Sequence, residues 1–295
     1  MEVQKTMGEC GFDKLFTKSV PHILEKIFFS LDYPSFKTCI EVNTAWQELL
    51  SSESFKRLGK SRFREDIERD LWQVVGGGNA HGVRKVLSCG MVNVNCTDKE
   101  NRTPLLFALE NSFKDVAKLL LEEEADDRIA GGRYCNWLPI HVSAKRGYQD
   151  VVAQLLLEGG AEINMQDRFR MTPLHWASHS GHCGVAKLLL ESGADLNIQC
   201  RSGYTPLKIA AMNGRIDVVK LFLKRGAETN RANQDGSTPL HFASLFGYKD
   251  VVQLLLDAGA EINMVTHTGH TPLGYATQRG HTNVVYLLKE NGGIE

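Results

Sequence analysis

Thr172-Pro173-Leu174-His175, Thr205-Pro206-Leu207 and Thr238-Pro239-Leu240-His241 stand in one register, their prolines 33 residues apart. Outward from these, the same element returns as Thr103-Pro104-Leu105, as Leu138-Pro139-Ile140-His141 and as Thr271-Pro272-Leu273. Six of the chain's 8 prolines belong to this series, at spacings of 35, 34, 33, 33 and 33. Each is followed by a short apolar pattern of helical period, a turn that usually holds Gly, and a second apolar run such as Val251-Val252-Gln253-Leu254-Leu255-Leu256. Most units close on Gly-Ala, as at Gly193-Ala194, Gly226-Ala227 and Gly259-Ala260, and Ala161 to Met165 recurs letter for letter at Ala260 to Met264. Such a period is the mark of a stacked array.

The spacing has a mechanical reading. A Thr hydroxyl caps a helix N-terminus, worth roughly 1 kcal/mol, and Pro at the next position has its φ preset and needs no N–H partner. Gly after the second run supplies the left-handed position that ends a helix. The polar stretch before the next Thr-Pro, such as Asn233-Gln234-Asp235-Gly236-Ser237, is a turn. Each unit is then a projecting turn and two antiparallel helices that bury their apolar face only against neighbours.

These residues closely resemble ankyrin repeats, whose signature is a Thr-Pro-Leu-His-x-Ala run at this period. Six repeats carry the Pro. An earlier, degenerate one around Asp70-Leu71-Trp72-Gln73 and Val83 to Leu87 reads as an N-terminal cap, so the resemblance covers about 67–295. In the last repeat Lys289 stands where Leu190, Leu223 and Leu256 stand earlier, as a solvent-facing end requires. Two repeats depart from the pattern. The chain between Ala125 and Pro139 is longer by two, with Gly131-Gly132 the expected insertion, and Leu138 replaces the Thr cap behind Trp137. Glu124 holds a C-terminal Gly position and is expected to strain that helix end, and Val151 to Gly160 carries one extra residue. Drift in a tolerant repeat and a recognition loop both account for the third turn.

Before the repeats, apolar residues at 24, 27, 28 and 31 share one helical face, and 36, 39, 42, 46 and 49 another. Pro21 and Pro34 stand near helix starts. Ile23-Leu24, Ile27-Phe28, Leu31-Asp32, Phe36, Cys39, Val42, Trp46 and Leu49 resemble an F-box in their offsets, although Val20 replaces its usual Leu and one residue is missing before Ile23. That resemblance implies a surface of Pro21, Ile23, Leu24, Ile27, Phe28 and Leu31 that docks a Skp-family adaptor of a cullin–RING ubiquitin ligase. The alternative is a helical extension in which Ile27, Leu31 and Trp46 form a core of their own.

The expected fold is all-α: an ankyrin-repeat solenoid preceded by a small helical F-box-like domain. Its expected divisions are a segment 1–19, the F-box-like domain 20–50, a helical linker 51–66 and the repeats 67–295. The basic run Lys56, Arg57, Lys60, Arg62 and Arg64 is followed by Glu65, Asp66, Glu68 and Asp70 and reads as a solvated linker helix.

Lys plus Arg at 34 nearly cancel Asp plus Glu at 35, so composition makes no case for nonspecific nucleic-acid or membrane binding. No apolar stretch approaches the ~20 residues of a membrane span, and Met1 to Ser19 lacks the apolar core of a signal peptide. The 7 Cys, an odd number, read as reduced thiols, which places the chain in the cytoplasm or nucleus. His175, His179, His182 and Cys183 lie close together, but His175 belongs to the repeat motif and His182 to a Gly-His turn seen again at Gly280-His281. Gly76-Gly77-Gly78 lacks the Lys-Ser/Thr of a phosphate loop. No enzyme, metal or cofactor is expected.

In ankyrin proteins the concave surface, made by turn tips and first helices, usually meets the partner. Carried over by position, it consists here of Tyr134, Trp137, Lys145, Arg146, Arg168, Phe169, Met171, His179, Arg201, Tyr204, Met212, Leu245 and Phe246. Rings and cations concentrate between about 134 and 204, which suits an acidic or phosphorylated segment of a target protein. The expected role is a monomeric, non-catalytic substrate receptor, with an interaction scaffold or inhibitor as the alternative.

Overall fold

A computed structural model describes residues 34, 53–88, 90–132, 136–157 and 161–295. The F-box-like residues Pro21, Ile23, Leu24, Ile27, Phe28 and Leu31 lie outside the described residues, as do Tyr134 of the third turn and the extra residue within 158–160. The chain divides into two compact units, one of Met1–Asp70 with Lys85–Val92 and one of Leu71–Arg84 with Asn93–Glu295. The described residues form fourteen helices, and their only strand-like pairing is an isolated antiparallel bridge between Gly131 and Trp137. No helix among them is long and apolar enough to cross a membrane.

Helix α1 (Glu53–Gly76) has non-helical backbone at Phe63 and is followed by α2 (Ala80–Leu87), with Gly78 in the left-handed region of the turn between them. Six helix pairs follow. They are α3 (Pro104–Glu110) and α4 (Lys114–Glu122), α5 (Pro139–Arg146) and α6 (Gln149–Leu157), and α7 (Pro173–Ser180) and α8 (Cys183–Glu191). Then come α9 (Pro206–Met212) and α10 (Ile216–Lys224), α11 (Pro239–Leu245) and α12 (Lys249–Asp257), and α13 (Pro272–Arg279) and α14 (Thr282–Glu290). First helices stack on first helices and second on second. The second helices bury a repeated triplet: Val151, Val152 and Leu155; Val218, Val219 and Phe222; Val251, Val252 and Leu255. Each such side chain contributes about 1.5–3 kcal/mol against the next repeat.

The caps come in two kinds. The hydroxyls of Thr103, Thr205 and Thr271 accept the N–H of Leu106, Lys208 and Gly274 at 3.3, 3.3 and 3.0 Å, as the Thr-Pro pattern predicts. In the two repeats that pair Thr with His the roles change. The N–H of Thr172 and of Thr238 donates to Nδ1 of His175 and His241 at 3.0 and 3.1 Å, and each hydroxyl lies against the same nitrogen. Leu138, with no side-chain acceptor, still opens α5 because its N–H reaches Nδ1 of His141 at 3.3 Å.

Three kinds of hydrogen bond clip neighbouring repeats together. The motif residue spans to the next turn: His175 Nε2 donates to Tyr204 O at 3.0 Å, His241 Nε2 to His270 O at 3.3 Å, and Lys208 Nζ to Ser237 O. The inter-helix turn reaches back: His182 Nε2 donates to Lys145 O, Arg215 Nε to His179 O and His281 Nε2 to Leu245 O, at 3.0–3.1 Å. Finally an Asn accepts a backbone N–H 31 residues on: Asn95 from Asp126, Asn164 from Asp195, Asn197 from Glu228, Asn230 from Glu261 and Asn263 from Ile294.

Glu124 adopts φ 57 where Gly193, Gly226 and Gly259 have 96, 81 and 80, so the strain expected at that helix end is present. At the insertion Gly131 and Trp137 form an isolated antiparallel bridge, their N–H and C=O groups exchanging bonds of 3.0 and 2.9 Å. Only glycine fits at 131, because a Cβ there would lie 2.2 Å from Asn101 O.

Candidate protein-interaction surface

The residue after the motif His, on the first turn of the first helix, is aromatic in four repeats: Phe107, Trp176, Phe242 and Tyr275. Two of these meet a ring from the turn of the preceding repeat. Trp176 meets Trp137 edge-on at 5.0 Å, and Phe242 meets Tyr204 at 5.5 Å. The cross-repeat register therefore builds pairs of rings that no single repeat contains.

At the first pair, Asp167 is the organiser. It is buried, and its two oxygens receive four N–H groups. Oδ1 accepts from Phe169 and Met171 at 2.8 and 2.9 Å, which shapes the fourth-repeat turn. Oδ2 accepts from Nε1 of Trp137 at 3.1 Å and Nε1 of Trp176 at 3.0 Å, which fixes both indoles. Above them lies Lys145 from the end of α5, its ammonium 4.4 Å from the Trp137 ring and 4.9 Å from the Trp176 ring. Such contacts contribute ~0.5–2 kcal/mol each. His179 stands one turn along α7 with its ring 6.0 Å from Trp176. Burial, then the neighbouring Lys145 and Arg215 charges, hold its pKa below the usual imidazole value. The smaller, charge-driven part of that depression reflects the two cations nearby.

At the second pair, Lys208 takes the place of the motif His. It is wholly buried, with Nζ 5.4 Å from the Tyr204 ring and 5.8 Å from the Phe242 ring. Burial lowers its pKa to about 7 and raises that of Tyr204. Tyr204 thus serves partly as a cover for a buried ammonium.

The remaining residues expected on this face are distributed more widely. Arg168, Phe169 and Arg201 are exposed on adjoining turns, with the Arg201 N–H bonded to Phe169 O at 2.9 Å, and Met171 is half-buried beside them. Arg146 donates to Glu110 O, which ties the third repeat to the second. Met212 and Leu245 are half-buried, and Phe246 is 47% exposed with its ring tilted against Tyr248 at 6.2 Å. Trp176 and Asp167 are not among the residues that position alone picks out. The recurring aromatic after the motif His would have revealed Trp176, whereas Asp167 carries no periodic signal.

The imidazoles of the motif are structural. Both nitrogens of His175 and of His241 are engaged, and no group of three metal-ligating side chains occurs among the described residues. At the second repeat the face changes sign. Arg102 is met there by Asp98 at 2.7 Å, Glu110 at 3.3 Å and Glu100 at 3.4 Å, and its guanidinium lies 5.0 Å from Phe107.

The chain matches the family described as ankyrin repeats (3 copies) over residues 71–167, 140–233, 197–266 and 225–295. It is 32% identical over 111 residues to the ankyrin repeat domain-containing protein SAT10 of Stachybotrys chartarum, covering 38% of this chain and 5% of that one. To the putative E3 ubiquitin-protein ligase XBAT35 of Arabidopsis thaliana it is 35% identical over 117 residues, 39% of this chain and 25% of the relative. To the glycerophosphocholine phosphodiesterase GDE1 of Candida albicans it is 35% identical over 98 residues, 32% and 8% of the two chains. The chain thus spans a quarter or less of each of these relatives. The family matches together take in residues 71–295, well over half of the sequence, and this chain belongs to the ankyrin-repeat family, whose repeats serve protein–protein interaction.

Proposed function

We propose that this chain is a non-catalytic receptor of the cytoplasm or nucleus, in which the repeats capture a target protein and the F-box-like segment 20–50 engages a Skp-family adaptor of a cullin–RING ubiquitin ligase. The observation that carries target capture is the uncovered run of rings and cations from Trp137 to Arg201, aromatic and Arg residues being the types enriched at binding hot spots. The ligase link rests on the hydrophobic series from Ile23 to Leu49, and one relative is itself named a putative E3 ubiquitin-protein ligase. A scaffold without a ligase link is the second reading, favoured by a family match that begins at residue 71. Binding of the purified chain to a Skp-family adaptor separates the two. The receptor reading expects micromolar or tighter binding that an Ile27→Asp, Phe28→Asp double variant loses while keeping its helical circular dichroism. Absence of binding by the folded wild type leaves the scaffold.

A further inference from the structure

We infer that Lys145 is the anchor of a carboxylate-binding subsite, and that the captured partner presents an Asp or Glu side chain to it. The inference rests on the reading of this face as the partner-binding surface and specifies what is recognised there. Lysine side chains on a surface are usually mobile, but this one is held. Its ammonium lies over two indole faces, at 4.4 and 4.9 Å, and both indoles are locked by the same buried carboxylate oxygen of Asp167. Holding the cation in advance removes the ~0.5–1.5 kcal/mol that immobilising a long side chain otherwise costs on binding.

The ammonium is also unspent. Among the described residues it has no carboxylate within ion-pair distance and no hydrogen-bond acceptor, whereas Lys114 and Lys118 share Asp150 and Arg102 is met by three acids. Asp167 is not within ion-pair distance of the ammonium, and its two oxygens already accept four N–H groups. Three ammonium donors above an aromatic floor are left for a ligand.

The sign of that ligand follows from the surroundings. A second cation would meet Lys145 and Arg215, whose charges both disfavour the proton on His179, with Arg170 exposed on the turn that Asp167 shapes. An anion meets attraction. Its kind follows from the charge to be balanced: one ammonium matches the single charge of a carboxylate, whereas a phosphate monoester carries about −1.5 to −2 and calls for a second cation at the same point. Arg146, next in the chain, and Arg215, whose charge reaches His179, spend donors on Glu110 O and His179 O instead. The site therefore suits a carboxylate.

The test uses the full chain and four labelled short peptides of one design, bearing Glu, Gln, phosphoserine or Lys at the same positions, followed by fluorescence anisotropy. The expected result is binding of the Glu peptide, no binding of the Gln and Lys peptides, and affinity weakened about tenfold or more in Lys145→Met, the range for loss of a charged hydrogen bond. Lys145→Arg should stay within about threefold of wild type, because the charge is kept. Equal binding by Lys145→Met and wild type overturns the inference, as does failure of the Glu peptide to bind. A phosphoserine peptide preferred over the Glu peptide by more than the extra charge explains, shown by a preference that survives high salt, overturns the carboxylate assignment. Adaptor binding through Ile27 and Phe28 is measured separately, so failure of the subsite and failure of the receptor reading are distinct outcomes.

Discussion

At the scale of the residue, position N3 of the first helix does two jobs, and its chemistry sets a pH dependence. In His175 and His241, Nδ1 accepts a backbone N–H, so the ring must be neutral with its proton on Nε2, which it donates to the next repeat. Burial pushes both pKa values down to about 4. The unfolded chain therefore binds more protons between about pH 6.5 and 4. The stabilisation is complete above 6.5 and is lost as pH falls through that window, about 1.4 kcal/mol for each tenfold difference in proton affinity between the two states. Urea midpoints should fall steeply from pH 7 to pH 5 in wild type and less steeply in a His175→Asn, His241→Asn variant. Lys208 keeps the same span to the next turn but must bury an ammonium to do so. With its pKa lowered to about 7, folding releases a proton between 7 and 10.5, so this residue's contribution to stability improves as pH rises through that range. Lys208→His, which restores the motif, should raise the urea midpoint at pH 7 by the equivalent of ~1 kcal/mol or more and should flatten the rise seen in wild type from pH 7 to 9.

At the scale of the element, helix starts and stops follow local rules, and the Thr-Pro series placed every first helix from 104 onward at its observed first residue. The bridge between Gly131 and Trp137 was legible as an insertion and illegible as a structure. Nothing in Gly131-Gly132 says that one glycine lies against the Asn101 carbonyl of the preceding turn while the other lies near only the carboxylate end of Glu110. The two glycines should therefore behave differently. Gly131→Ala should destabilise by ~1–3 kcal/mol through a backbone clash. Gly132→Ala, whose φ is 92 and whose nearest neighbour is the flexible end of Glu110, should lose only the ~1–2 kcal/mol of a left-handed non-glycine residue. Chemical denaturation of the pair at one pH distinguishes the two mechanisms, since Glu110→Ala should leave the Gly131→Ala penalty unchanged.

At the scale of the repeat array, stability is a sum of repeat and boundary terms, so a weak boundary matters more than a weak repeat. Each boundary of the third repeat lacks one of the usual clips. Toward the second repeat, Leu106 stands where the motif His would span to the next turn; toward the fourth, Arg128 stands where Asn164, Asn197, Asn230 and Asn263 accept the next repeat's N–H. Beside it Asp127 occupies the slot of Ile163, Leu196 and Ile262, buried and with Oδ2 unpartnered, and burial raises its pKa. The third repeat should therefore open first in native-state hydrogen exchange, over α5 and α6. An Asp127→Ile, Arg128→Asn variant should slow exchange there and raise the urea midpoint by the equivalent of ~1–3 kcal/mol, the worth of removing an unsatisfied buried group and adding a hydrogen bond. Uniform exchange along the repeats, or no response to the variant, would show that packing compensates.

The period, the direction of each helix, the cap that opens it and the Gly that closes most of them were all legible in the amino-acid order, because these depend on residues within four or five positions of one another. The stretch from 134 to 204 was likewise marked there as rich in rings and cations. Which of those side chains meet was settled only by the stacking of the repeats. Asp167 draws Trp137 from one repeat and Trp176 from its own, and Lys145 comes to rest above both. The reason is physical: the contacts that join the repeats, Trp137 with Asp167 and Lys145 with Trp176, span offsets of about 30 residues and exist only once neighbouring repeats have stacked and brought equivalent turns side by side.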